Sequence, residues 1–233
     1  KTRTLALITD AAELAQKIGA KNISLTGVIP SATAYGEDLI SPIHNNQLPP
    51  ITTGHATTTS AVVMAIKGII AQANRPLTQE RVGFLGLGSI GLTSLELMLQ
   101  VLPHPREIVL CDLYEKKLQL EQIGDTLRHK FGFKGSICIT PSHRDVPMDF
   151  YRSTLIVGAT NVPDVLDIWQ LNPGTLLVDD SAPHCFSAHE ALTRFSNQQD
   201  ILFTVGGMLH YPHPLPRQIY LPAELAVIGL ING

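Results

Sequence analysis

Past residue 80 the apolar positions come in six short runs: Val82 to Leu87, Glu107 to Asp112, Gly135 to Thr140, Thr154 to Asn161, Thr175 to Asp180 and Ile201 to Gly207. Near-continuous apolar runs of this length suit strands buried on both faces of a parallel sheet. Leu92 to Leu102 and Glu115 to Phe131 show helical spacing instead. Strands and helices that alternate at this interval predict an α/β fold, a doubly wound parallel sheet with right-handed crossovers. Upstream, Thr2 to Ile18 reads as a helix with apolar Leu5, Ile8, Ala12, Leu14 and Ile18, stopped by Gly19. Asn22 to Pro30 reads as a strand, Gly36 to Pro50 as a proline- and asparagine-rich loop, and Ala61 to Ala73 as a long apolar helix. The expected division is a helix-strand segment over residues 1–50 that packs on a core domain over residues 51–233.

The first of the six runs leads straight into Gly86-x-Gly88-x-x-Gly91 and then into a helix. In a strand-turn-helix setting each glycine has a task. The first permits the tight turn, the second lets backbone approach a pyrophosphate, and the third lets helix and strand pack closely. The helix start adds unpaired N–H groups that favour an anion. The pattern is that of a Rossmann-type dinucleotide site, with Gly86, Gly88, Ser89, Ile90 and Gly91 against the phosphates. Asp112 ends the second run, 21 residues after Gly91. An acid there hydrogen-bonds the adenosine ribose and repels a 2′-phosphate, so NAD is favoured over NADP, although Lys116 and Lys117 lie close enough to soften the preference.

Composition narrows the class further. With 233 residues, 44% hydrophobic and 16% charged, the chain can bury a sizeable core. A net charge of −3 and a pI near 6.3 supply no basic footprint for nucleic acid. No apolar run is long enough for a membrane span, and the first residues lack the layout of a secretory signal. Cys111, Cys138 and Cys185 are an odd count without metal-ligand spacing, so reduced thiols in the cytoplasm, and no metal, are expected. The first residue is lysine, which leaves room for a larger parent protein.

The carboxyl ends of the last three runs collect Thr160, Asn161, Asp179, Asp180, Ser181, His184, Cys185, Gly206, Gly207 and His210. In this fold class such ends face the ligand. Thr160 and Gly206 are expected against the cofactor, as is Thr53 from the hydroxyl-rich stretch Thr52 to Ser60. That stretch either caps the helix that follows or lines the site. Hydride chemistry needs a group that orients or protonates the acceptor, and His55, His184, His210, Asp180 and Ser181 are candidates. Cys185 is a candidate thiolate nucleophile for thioester chemistry. The segment Met208 to Pro216 reads as a loop over the cleft, and Ala223 to Ile231 as an apolar helix that is either buried or a contact in a homo-oligomer.

The stretch Thr52-Thr53-Gly54-His55-Ala56-Thr57-Thr58, the glycine fingerprint, Gly206-Gly207 and Arg217-Gln218-Ile219-Tyr220 together resemble the long-chain acyl-ACP reductases of cyanobacteria. The resemblance implies a related fold and cofactor site. That family reduces carrier-bound acyl thioesters to aldehydes with NADPH through an acyl-cysteine. Its cysteine follows the Arg-Gln pair, where this chain reads Leu221-Pro222-Ala223-Glu224. Its arginine near the second strand is replaced by Asp112-Leu113, and its terminal regions have no counterpart here. Two readings follow. One is an NAD(P)-dependent oxidoreductase acting on a carbonyl, imine or acyl thioester, as a small molecule or tethered to a carrier. The other is a non-catalytic Rossmann module that binds a nucleotide or serves as a scaffold.

Overall fold

The computed structural model describes residues 2–27, 29–33, 36–40, 49–112, 116–142 and 145–207. His210, the 208–216 loop, the Arg217–Tyr220 segment and the 223–231 helix lie outside the described residues. The chain divides into two compact units, Lys1–Thr57 and Thr58–Gly233.

In the first unit, helix α1 (Thr2–Lys17) matches its expected bounds to within one residue, and Ala12 is buried. Leu14 and Ile18, read as part of its apolar face, are exposed instead. The expected strand over 22–30 shrinks to β1 (Ile23–Ser24), which pairs in parallel with β2 (Ile51–Thr52). Two single-turn helices, α2 (Ile29–Ala32) and α3 (Glu37–Ile40), lie between them in the chain. Helix α4 follows (His55–Gln72). It begins six residues before the expected start, so Thr57, Thr58, Thr59 and Ser60 belong to its opening turns and do not cap it. Burial explains the extension: Thr59 sits inside and its hydroxyl meets that of Thr93 at 2.8 Å.

The second unit is built on six parallel strands: β3 (Arg81–Leu85), β4 (Glu107–Cys111), β5 (Ser136–Ile139), β6 (Leu155–Gly158), β7 (Leu176–Asp179) and β8 (Leu202–Val205). They lie in the order β5-β4-β3-β6-β7-β8. This is the Rossmann order, and the strands fall on the six apolar runs, β3 starting one residue ahead of its run at Arg81. The order reverses between β3 and β6, which opens a crevice at their carboxyl ends. Helices α5 (Ser89–Val101) and α6 (Lys117–His129) follow β3 and β4, and α7 (Ala188–Gln198) precedes β8.

Alternation along each strand divides the core in two. Val82 and Phe84 of β3, Ile108 and Leu110 of β4 and Val178 of β7 pack with Val62 and Ile66 of α4, Leu95 and Met98 of α5 and Leu120 of α6. Leu85, Val109, Ile156 and Leu177 form the opposite layer with Phe150, Ile168, Phe186 and Ala191. This second layer departs from a strict alternation of strand and helix. The β5–β6 and β6–β7 connections carry the 3₁₀ turns Phe150–Arg152 and Ile168–Gln170 where crossover helices were expected. Pro141, Pro147, Pro163 and Pro173 break up those segments and deny them a helical ladder. Gly83 makes the turn a good cover, because a Cβ there would come within 2.8 Å of the Phe150 ring.

Candidate functional site

The glycine fingerprint forms the β3–α5 turn at the sheet's reversal point. Gly86 has φ of +89°, and a Cβ on it would sit 2.6 Å from the carbonyl oxygen of Ala159, just past β6. Glycine alone tolerates both conditions. A Cβ on Gly91 would overlap the Gly86 carbonyl oxygen, so the first turn of α5 rests directly on the end of β3. Gly88 differs from both. It is exposed, it caps α5, and a Cβ there meets nothing within 4 Å. Gly88 makes no side-chain cap bond at that helix start, which Ser89 and Ile90 open. A tight first glycine, an open second and a packed third suit a pyrophosphate lying over Gly88.

Asp112 follows β4 and is 7% exposed. Its Oδ2 accepts the Leu87 N–H at 2.8 Å, so the acid braces the glycine turn from below. Lys116 Nζ lies 3.2 Å from the same oxygen. The Asp112 carboxylate is thus engaged by both the turn and a lysine.

A second cluster occupies the ends of β6 and β7. Asp179 is the last residue of β7 and 1% exposed. Its Oδ1 accepts the Ser181 N–H at 3.1 Å, and its Oδ2 accepts the Cys185 N–H at 3.3 Å. His184 Nδ1 lies 2.8 Å from Oδ2, with the imidazole side chain 44% exposed. Gly158, in register with Asp179 on β6, makes this packing feasible. A Cβ at Gly158 would overlap Asp179 Oδ1 and come 2.7 Å from Cys185 Sγ. Ser181 Oγ accepts the Thr160 N–H at 3.1 Å and so joins the two strand ends. The Asp164 and Leu166 N–H groups donate to the carbonyls of His184 and Cys185 at 3.3 and 2.8 Å, which anchors the turn.

Asp180 faces the other side of β7, toward Gly206 and Gly207. A Cβ on Gly206 would lie 3.2 Å from Asp180 Cβ, Val178 Cγ1 and Val62 Cγ2. A Cβ on Gly207 would overlap Asp180 Oδ1. Burial and the neighbouring Asp179 carboxylate push the Asp180 carboxyl up to about 7.

The sequence candidates therefore separate. Gly86, Gly88, Ser89, Ile90 and Gly91 form the β3–α5 turn, with Asp112 bonded to it through the Leu87 N–H. Thr160, Ser181 and His184 meet at the ends of β6 and β7, while Asp180 and Gly206 meet one strand edge further on. Thr53 and His55 belong to the first unit, just before and at the start of α4. Cys185, the candidate nucleophile, is 0% exposed, and burial beside Asp179 pushes its thiol well above the ordinary range. Cys111 is likewise buried, its thiol pushed up to about 12, whereas Cys138 is only half-buried. Sequence reasoning did not give Asp179 a role. The signal available was an acid at a strand end, five residues before a histidine, opposite a glycine ending the neighbouring strand.

No protein-family model and no curated protein match the chain. Among solved structures, it is similar to part of the Δ1-pyrroline-2-carboxylate reductase of Thermococcus litoralis in complex with NADH and L-proline (14% identity, 58% of this chain, TM-score 0.42). It is also similar to the A chain of dipicolinate synthase from Bacillus subtilis (13%, 79%, 0.47) and to the D-mandelate dehydrogenase of Rhodotorula graminis (10%, 81%, 0.46). The chain spans 40%, 57% and 65% of their respective lengths. Likenesses of this extent carry no reaction over to this chain. Among the described residues, no cluster of three or more His, Cys, Asp or Glu could hold a metal, and no helix is long and apolar enough to cross a membrane.

Proposed function

We propose that the chain is an NAD(P)-dependent oxidoreductase whose dinucleotide lies along the carboxyl edge of the sheet, its pyrophosphate over Gly88. The observation that carries this reading is the division of labour in the glycine turn. Gly86 and Gly91 are closed by backbone, whereas Gly88 is open at the start of α5. Bound there, the nicotinamide would supply or accept a hydride. Asp112 and Lys116 would meet the adenosine ribose. Thr160, Ser181 and His184 would face the reacting end, with His184 the exposed proton carrier among them.

The substrate class proposed is a carbonyl, imine or acyl thioester, free or carrier-tethered. The resemblance to acyl-ACP reductases supports including the thioester. The buried Cys185 favours direct hydride transfer over an acyl-enzyme. Titration with NADH and NADPH, followed by cofactor oxidation against aldehydes, ketones, imines and acyl thioesters, tests the proposal. Failure to bind either nucleotide rejects it. Binding with no turnover on any class leaves the non-catalytic nucleotide-binding module.

A further inference from the structure

We infer that Asp179 is a positioning residue that fixes the tautomer of His184, so that His184 Nε2 is the atom that exchanges a proton with a substrate oxygen. The inference deepens the oxidoreductase reading and rests on it for the identity of the reaction, while the geometry of the pair stands on its own.

A carboxylate oxygen only accepts, so the imidazole atom 2.8 Å from Asp179 Oδ2 must carry a proton. In the neutral ring that places the proton on Nδ1 and the lone pair on Nε2. The two oxygens of Asp179 already receive the Ser181 and Cys185 N–H groups, which hold the carboxylate plane in place. Gly158 supplies the space, since any side chain there would displace Oδ1. The ring packs on Phe186 with centroids 5.7 Å apart, which limits its rotation further. A buried acid, two backbone donors, a vacated Cβ position and an aromatic neighbour thus converge on one imidazole, whose side chain remains 44% exposed. A surface histidine needs none of this support. A histidine that must present one nitrogen in one state needs all of it.

The chemistry assigned is the proton half of an alcohol–carbonyl interconversion. In the oxidation direction the substrate O–H bond breaks and its proton forms Nε2–H. The electron pair left on oxygen would complete the C=O bond, and an oxidised nicotinamide, when bound, would supply the hydride acceptor. In reduction the imidazolium returns the Nε2 proton to the oxygen while the carbon accepts hydride. Asp179 stays a carboxylate throughout and stabilises the imidazolium through Nδ1–H.

The test is ¹H–¹⁵N NMR of the histidine rings of the full chain, with His184 assigned by comparison with His184→Gln. The expected result is that the neutral form of the His184 ring carries its proton on Nδ1 in the wild type, with Asp179→Asn shifting that form to a mixed or Nε2–H state. A neutral wild-type ring protonated on Nε2 and bare at Nδ1 overturns the inference, and this measurement needs neither cofactor nor a folded variant of Asp179. On the substrate identified by the panel, His184→Gln and Asp179→Asn are expected to lower kcat by about 100-fold or more, with the dissociation constant for NAD(P)H within about twofold of wild type. An unchanged kcat in His184→Gln overturns the proton-carrier role. Absence of nucleotide binding in the wild type, by contrast, would reject the oxidoreductase reading and leave the tautomer measurement intact.

Discussion

Asp179 and Asp180 are adjacent in the chain and differ because a strand sends neighbours to opposite faces. Asp179 enters a pocket of backbone donors over Gly158, whereas Asp180 is pressed against Gly206 and Gly207 and feels the Asp179 charge. The Asp180 carboxyl is raised from an ordinary 3.8 to about 7. Between those values the folded chain holds a proton that the unfolded chain has lost, so stability falls as pH rises, and the full cost is present above pH 7. Replacing Asp180 with Asn is therefore expected to raise Tm by a few degrees at pH 8, about 1–2 kcal/mol after allowing for solvent screening, with little change at pH 4. Thermal unfolding at the two pH values checks this, and an equal shift at both would contradict it. Lys116 permits a second test at this scale. With its ammonium 3.2 Å from Asp112, removing it should restore the acid's repulsion of a 2′-phosphate. Lys116→Ala is expected to weaken NADPH relative to NADH by about tenfold, roughly 1.4 kcal/mol, as read from paired titrations.

At the scale of the element, the β3–α5 turn separates folding from binding within a single motif. Gly91→Ala forces a Cβ into the Gly86 carbonyl, an overpacking that costs about 2–3 kcal/mol and should lower Tm by roughly 5–10 °C. Gly88→Ala places a methyl in open space on backbone with φ of −70°, which alanine adopts freely. Its Tm should stay within about 2 °C of wild type, while nucleotide affinity falls about tenfold or more because the methyl occupies the phosphate position. Calorimetry and titration of the two variants check the contrast. If Gly88→Ala binds NADH and NADPH as tightly as wild type, the pyrophosphate does not lie over Gly88.

For the molecule as a whole, the sheet is covered by α4, α5 and α6 on one side and by 3₁₀ turns with α7 on the other. The reversal between β3 and β6 brings the glycine turn and the Asp179 cluster to the same carboxyl edge, although about 90 residues separate them in sequence. Ligand binding there should stabilise the fold by mass action. Nucleotide at about 100 times its dissociation constant adds about 2.7 kcal/mol, or a Tm rise of roughly 5–10 °C for a chain of this size. Differential scanning fluorimetry with NADH or NADPH should show the rise in wild type and lose most of it in Gly88→Ala at the same concentration.

The six strands, the two helices that follow β3 and β4 and the glycine turn were legible in the residues, because apolar runs, helical spacing and Gly86-x-Gly88-x-x-Gly91 are local patterns set by burial and backbone sterics. The start of α4 was not. Thr57 to Ser60 look like a cap in sequence, and only the packing of Thr59 against Thr93 makes them helix. Nor could the sequence show that Cys185 is sealed in the core, that Asp112 braces Leu87, or that Asp179 and not a neighbour holds His184. Each of those outcomes depends on which side chain a strand turns inward and on what the next strand leaves vacant beside it. Gly158, a plain small residue at the end of a run, acquires its meaning only when β7 lays the Asp179 carboxylate across it.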